Sequence, residues 1–329
     1  MPLMRAILRW FIRIALGIAF ILITVLAVFS GLAGWRESVP AGRDGREGSY
    51  VQVEGRDMHY MSWGLEGGPV VILVHGTVSW AKTWQPVAER LAERGYRVLA
   101  PDFPPFGYSE RPGDGDYSRA ALARRIIGFA DAVGVERFLL AGHSFAGGGT
   151  LEAAFSNPDR IAGLVLLDAA LRLSTPSPEP PLGAWMRMPV LGDAITASTF
   201  TNPLTIGYGL RSFVHDPAIV SPDLVVVYRE PLAVAGATQS TRLWYLSGLF
   251  GDERGSPSAD REQYRRFTRP VLLIWGRQDT VTPLAQGEEL AGLVPSAELV
   301  VLEDVNHIPQ LEKPGEVADL IADFAGRVF

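Results

Sequence analysis

The hydrophobic pattern changes character twice along the chain. Residues 14–34 carry no charged side chain and are almost wholly apolar. These twenty-one residues, at about 1.5 Å of rise each, span roughly 31 Å, close to the hydrocarbon thickness of a bilayer. Trp10 and Trp35 flank the run, as interfacial aromatics do. The small residues Gly31-Leu32-Ala33 offer a cleavage site, but the run is longer than the ~7–15 apolar residues of a signal peptide. The pattern predicts an uncleaved transmembrane helix, with residues 1–35 as an anchor. A short Gly-, Arg- and acid-rich stretch at 41–49 has no apolar period. It reads as the main part of a linker, 36–49.

From residue 50 the period shortens. Residues 50–53 and 58–63 alternate around Gly55, which predicts an opening hairpin. Val70–Val74 is a short continuous apolar run, the mark of a strand buried on both faces. Helical spacing over 84–94 stops at Gly95, and a further strand follows at 97–100. Ser118 is placed to cap a helix that runs to Val133 and stops at Gly134. Then come an apolar strand from Phe138, a helix over 150–156 and a strand at 161–167. Strands alternating with helices predict an α/β fold, a mostly parallel central sheet with helices on both faces. The alternation breaks near Ala170. Residues 174–181 are rich in Pro and Ser, and 182–267 look helical and irregular with no clear strand. Val271 resumes the sheet. Thr282-Pro283 reads as a helix start with an N-cap and a first-turn proline, and Pro314 opens the last helix. The expected catalytic domain is therefore 50–329, with an insertion at about 170–268.

Composition narrows the chemistry. A chain of 329 residues that is 47% apolar can bury a substantial core in one α/β unit. It has no cysteine, so disulfides and thiol chemistry are excluded. Its basic residues are nearly all arginine, with only Lys82 and Lys313 as lysines, the bias of a GC-rich bacterial genome. Net charge is −6, and residues 1–35 hold Arg5, Arg9 and Arg13 with no acid, so the remainder is more acidic still. That balance argues against a nucleic-acid partner. Five scattered histidines form no His-x-x-x-His pair, and Gly147-Gly148-Gly149 is not followed by Gly-Lys-Ser/Thr. Neither a metal nor a nucleotide cofactor is expected. Arg36, Arg43 and Arg46 nearly balance the basic residues before the apolar run. A large domain translocates largely regardless of its charge. The expected orientation has the N-terminus inside and the catalytic domain outside.

Three residues carry candidate chemistry, each just after a predicted strand. Ser144 stands in Gly142-His143-Ser144-Phe145-Ala146, between the strand from Phe138 and small residues that open a helix. A serine at such a sharp turn is forced outward, the nucleophile elbow of serine hydrolases. Asp279 follows the strand at 271–275, and His307 follows the strand at 299–302. Strand-end loops are where an α/β sheet presents catalytic groups, and the order Ser, Asp, His is that of α/β-hydrolases.

From about Tyr50 to its C-terminus the chain resembles the α/β-hydrolases of the esterase, lipase and C–C-bond hydrolase group. The likeness includes His75-Gly76-Thr77, similar to the family's oxyanion segment, and the loop 101–109, similar to that after the fourth strand. Two positions depart from the family pattern: Ala146 replaces the elbow's last glycine, and Pro105 replaces a loop glycine. The resemblance implies that the insertion is a cap over the active site. It further implies acyl transfer to water, with His307 as base, Asp279 orienting it, and the backbone N–H groups of Thr77 and Phe145 binding the oxyanion. Asp168, also at a strand end, is the rival acid. Asp102 is expected to fix its loop and His75 to support the oxyanion segment. His143 should point away from the site, and His59 and His215 carry no chemistry. Trp185, Met186, Met188, Phe200, Phe213, Trp244, Tyr245 and Phe250 should pack the cap, a few lining an apolar acyl pocket. With no Arg or Lys cluster for an anionic group, the expected substrate is a small, apolar, uncharged ester or a lipid-like one. A C–C-bond hydrolase, a perhydrolase or an acyltransferase would use the same residues. A non-catalytic ligand-binding protein would have no need of an activated serine.

Overall fold

The structure, a computed structural model, describes residues 2–40, 47–171, 182–251 and 255–329. Most of the expected linker at 41–49, and the Pro- and Ser-rich stretch at 174–181, lie outside the described residues. Eight strands form one sheet: β1 (Ser49–Val53), β2 (Arg56–Trp63), β3 (Val70–Val74), β4 (Arg97–Pro101), β5 (Phe138–His143), β6 (Ile161–Leu167), β7 (Val271–Gly276) and β8 (Ala297–Leu302). Their spatial order is β1-β2-β4-β3-β5-β6-β7-β8. β1, β2 and β4 meet antiparallel, and every pairing from β4 through β3 to β8 is parallel.

Period-2 alternation divides the buried strands between two cores. On β3, Val71 and Leu73 face one layer while Ile72 and Val74 face the other. The helices sort accordingly. Before the sheet lies α1 (Pro2–Arg36); within it come α2 (Gln85–Glu93), α3 (Arg119–Ala132) and α4 (Ala146–Ser156). α2 and a late helix at 314–328 cover the first face through Val87, Leu91, Ile321 and Phe324. α3 and α4 cover the second through Ile126, Phe129 and Leu151.

Between β6 and β7 the described residues are helical, with no sheet strand. They form α5 (Leu182–Met186), α6 (Pro189–Ser198), α7 (Pro203–Ser212), α8 (Pro222–Arg229), α9 (Ala237–Trp244) and α10 (Arg261–Arg266). Local sequence explains several starts. Asn202-Pro203 and Ser221-Pro222 place a side-chain cap just before a proline at the first helical position, with Asn202 accepting from the Leu204 amide and Ser221 from that of Leu224. After β7 come α11 (Leu284–Leu293), α12 (Pro309–Glu312) and α13 (Pro314–Val328). α11 begins at Leu284 without a side-chain cap; Thr282, expected to cap it, uses its hydroxyl elsewhere.

α1 is a long apolar helix, long and hydrophobic enough to cross a membrane. Residues 11–25 are exposed on all sides, whereas Leu26, Phe29 and Ala33 form one partly covered stripe. Their 3–4 spacing keeps them on one helix face, and α6 packs against α1. The end of α1 and the residues just after it, expected to be linker from residue 36, are fastened to the cap. Arg36 Nε donates to the Leu232 carbonyl at 2.9 Å, and Val39 pairs parallel with Val234. The Glu37 carboxylate accepts from the Thr238 amide at 3.1 Å and from its hydroxyl. Thr238 lies in the first turn of α9, where unpaired amides attract a carboxylate.

Candidate active site

Four loops leave the same edge of the sheet, after β5, β6, β7 and β8, and bring Ser144, Asp168, Asp279 and His307 together. Ser144 has a φ of 54°, strained for a residue with a Cβ. Hydrogen bonds hold the turn. The Ser144 amide donates to the Leu167 carbonyl at 2.9 Å, and the Ser144 carbonyl accepts from Gly147 and Ala170, each at 2.9 Å. His307 Nδ1 faces both oxygens of Asp279, at 3.2 and 3.0 Å. With its proton there, Nε2 accepts from the Ser144 hydroxyl at 2.8 Å. All three side chains are buried.

Burial opposes ionisation of Asp279, but the hydrogen bond and charge of His307, with the hydroxyl and amide of Thr282, outweigh it and hold the carboxyl below its ordinary range. The amides of Val281 and Thr282 donate to Oδ1 at 2.7 and 2.9 Å, and the Thr282 hydroxyl donates to Oδ2 at 2.5 Å. Sequence reading missed this role of Thr282. A threonine before a proline carries an N-cap signal, and nothing local says that an aspartate three residues earlier outcompetes the helix end.

Asp168 is not positioned as the acid partner of His307. Its Oδ1 accepts from the Gly276 amide at 2.9 Å, and its Oδ2 is buried with no partner. Burial first, and the negative charge of Asp279 second, raise its carboxyl well above the ordinary range. Protonation turns the orphan oxygen into a donor toward Asp279. Asp168, Asp279 and His307 offer atoms within 4.8 Å of one another, the spacing of a small metal site. However, both Asp279 oxygens are already engaged by Val281, Thr282 and His307, so the donor set suits proton transfer better than a cation.

His143 departs from its expected place. It lines the cavity behind His307, donating Nε2–H to the His307 carbonyl at 2.7 Å. Burial, then the neighbouring His307, push it down to about 3, so it is a neutral prop. The His307 loop has further fastenings that sequence gave no reason to select. The His307 amide donates to the Phe213 carbonyl of the cap at 3.0 Å. Glu312 accepts from the Asn306 and Ile308 amides, at 3.0 and 3.2 Å to one oxygen.

Thr77 and Phe145 both border the cavity beside Ser144, and their N–H groups have no partner among the described residues. Val78, next to Thr77, holds a φ of 52°, an uncommon conformation for a β-branched residue. His75 braces this segment. Its Nε2 accepts from the Phe103 amide at 2.9 Å and its Nδ1 lies 3.0 Å from the Gly76 carbonyl. Asp102 joins the neighbouring loops, accepting from the Ala81 and Tyr108 amides at 2.7 and 2.8 Å and pairing with His59 at 2.8 Å. His215 is half-exposed and lies 3.7 Å from Asp304.

A cavity of about 450 Å³ opens onto Ser144. Phe200, Ile206, Leu210, Phe213, Trp244 and Leu249 form much of its wall, and among the described residues no Asp, Glu, Lys or Arg lines it. Of the expected cap aromatics, Phe200, Phe213 and Trp244 reach the cavity. Met186, Tyr245 and Phe250 pack with Trp244 inside the cap, and Trp185 and Met188 are exposed.

The sheet order is that of the α/β-hydrolase fold, and a serine, a histidine and an aspartate gather at its C-terminal edge. The chain belongs to the alpha/beta hydrolase fold family, whose signature matches residues 69–314. It is 30% identical over 233 residues to a 2-hydroxymuconate semialdehyde hydrolase of Pseudomonas putida, covering 69% of this chain and 76% of that protein. The solved meta-cleavage product hydrolase of Pseudomonas fluorescens IP01 superposes with a TM-score of 0.72 at 25% identity, over 86% of this chain and 99% of its own. A membrane phospholipase A described as a bacterial virulence factor superposes at 0.66 with 24% identity, over 100% of this chain and 99% of its own, which shows a shared fold.

Proposed function

We propose that the protein is a membrane-anchored serine hydrolase that cleaves an uncharged, apolar carboxylic ester. The single observation carrying this reading is a mainly apolar cavity, with no Asp, Glu, Lys or Arg among its described lining residues, that ends at a Ser144–His307–Asp279 relay. His307 takes the Ser144 proton as the hydroxyl attacks the carbonyl carbon, and Asp279 orients the ring and stabilises its charged form. The amides of Thr77 and Phe145 receive the oxyanion; one such donor is worth about 3–4 kcal/mol in the transition state. The leaving alcohol takes the proton from His307. The ring then activates water against the acyl-enzyme, releasing the acid. Residues 14–34 hold the enzyme in the membrane, N-terminus inside and catalytic domain outside, and the cap at 170–268 shapes the acyl pocket.

The test is turnover of p-nitrophenyl esters of increasing acyl length by the full chain and by Ser144→Ala. Each methylene buried in the cavity contributes about 0.8 kcal/mol, so kcat/KM rises several-fold per methylene until the cavity is full. Ser144→Ala loses at least about a thousandfold. Wild type that turns over no ester refutes the reading. Similarity to the 2-hydroxymuconate semialdehyde hydrolase favours a second reading, C–C-bond hydrolysis by the same residues. A muconate-type acid needs a cation to receive its carboxylate, and the described residues of the lining include no Lys or Arg. Turnover of that semialdehyde but of no ester would establish the second reading.

A further inference from the structure

We infer that the edge of the cap formed by α5 and the start of α6 sits within the membrane leaflet beside α1, as a second membrane contact. The inference rests on the reading of α1 as an anchor and follows from length. The uncharged run 14–34 is just long enough to cross a bilayer. Its last part is not free to do so alone, because Leu26, Phe29 and Ala33 turn toward the cap and α6 packs against the helix. Residues 14–25, exposed on all sides, span only roughly 18 Å at 1.5 Å each. That falls short of the roughly 30 Å of hydrocarbon. Moving the helix outward to use its N-terminal end would bury the charged Arg13 and Arg9 in hydrocarbon, which is strongly unfavourable. Keeping Leu26 to Ala33 in the leaflet avoids that cost and draws α6 in with them.

The cap edge is built for such a position. Trp185, Met188 and Val190 are 54%, 52% and 87% exposed. Exposed apolar groups of this size, on and just before the helix that packs against α1, mark a membrane contact. Asp193 on α6 does not enter unpaired, since Arg242 Nε donates to it at 2.6 Å. The turn after α6 leads into α7, where Tyr208 is 80% exposed and also lines the cavity.

The chain has no cysteine, so single cysteines report position cleanly. Val190→Cys, Ile18→Cys and Leu65→Cys are labelled with an environment-sensitive fluorophore. The full chain goes into phosphatidylcholine–phosphatidylglycerol vesicles with and without acyl-chain spin-labelled lipid. Leu65 is exposed in the turn between β2 and β3, at the sheet edge opposite the site. The expected result is strong quenching at positions 18 and 190 and none at 65. Quenching at 18 without quenching at 190 overturns the inference and leaves the anchor standing. No quenching at 18 removes the anchor reading, and the inference with it. Equal quenching at 65 means unspecific adsorption and also overturns the inference.

Discussion

Replacing Asp168 with asparagine tests the electrostatics behind the proposed Ser144–His307–Asp279 relay. The side chain is completely buried, its Oδ1 tied to the Gly276 amide at 2.9 Å and its Oδ2 without a partner. Burial and then Asp279 raise its carboxyl well above 3.8. A carboxyl raised in the folded state contributes stability that is complete below the unfolded pKa and is lost as pH rises toward the folded one. The loss is about 1.4 kcal/mol for each pH unit in that window. Asparagine has no proton to lose. Its oxygen keeps the Gly276 bond, its amide replaces the carboxyl proton facing Asp279, and it tolerates the φ of 41° at this position. The stability advantage of Asp168→Asn over wild type should therefore be small near pH 4, grow with pH, and level off at the folded pKa of Asp168. For a domain of this size each kcal/mol is worth about 2–4 °C, so thermal unfolding of both proteins from pH 4 to 8 reads the effect directly. Hydrolysis should stay within a few-fold of wild type. An advantage that does not change with pH, or a variant less stable than wild type at pH 7, refutes an Asp168 carboxyl raised by burial.

Other substitutions probe the remaining supports. Thr282→Val removes a hydrogen bond to the ionised Asp279, worth about 1.5–3 kcal/mol; kcat should fall tenfold to a hundredfold with KM little changed, and a raised KM at constant kcat would oppose this. His143→Gln, which keeps an N–H toward the His307 carbonyl, should leave the pH–rate profile from 5 to 9 unchanged, because His143 titrates at about 3; loss of an ionisation in that range would show that His143 takes part in proton transfer. Gly147→Ala should cost about 1–3 kcal/mol of stability by overpacking, since the new methyl meets the Ala169 side chain at 2.5 Å; unchanged thermal unfolding and activity would refute that tightness.

The alternation of strands and helices made the sheet legible, because each parallel strand is a short apolar run bounded by a turn residue. Ser144, Asp279 and His307 were legible for the same reason, each standing just beyond such a run. What surrounds them was not. Thr282 and Asp279 are neighbours in sequence, yet the hydroxyl's choice between a helix end and a carboxylate is made by burial. The upward shift of the Asp168 carboxyl depends on burial first and on Asp279 second, and Asp279 joins it only after the cap has intervened. The fastening of α1 to the cap joins Arg36 to Leu232, 196 residues apart. No local period announces it, so residues 36–39 read as linker although they are part of the packed structure.

Ala146 shows how a motif and the packing behind it come apart. The glycine usual at that position serves close approach between the elbow helix and its surroundings. Here the side chain of Ala146 is buried in the main core, and the turn of Ser144 is intact around it. The close approaches fall on the next three residues. A Cβ on Gly147 would meet the Ala169 side chain at 2.5 Å, one on Gly148 would meet Arg119 Nε at 2.4 Å, and one on Gly149 would meet Leu122 Cδ2 at 2.5 Å. Arg119 is itself fixed, donating to the Ser258 hydroxyl at 3.0 Å, which in turn donates to the buried Glu152 at 2.7 Å. The elbow helix is thus pressed against the β6 loop by Gly147 and against α3 by Gly148 and Gly149. The constraint that the family motif expresses with one glycine is met in this chain by three, one residue further on.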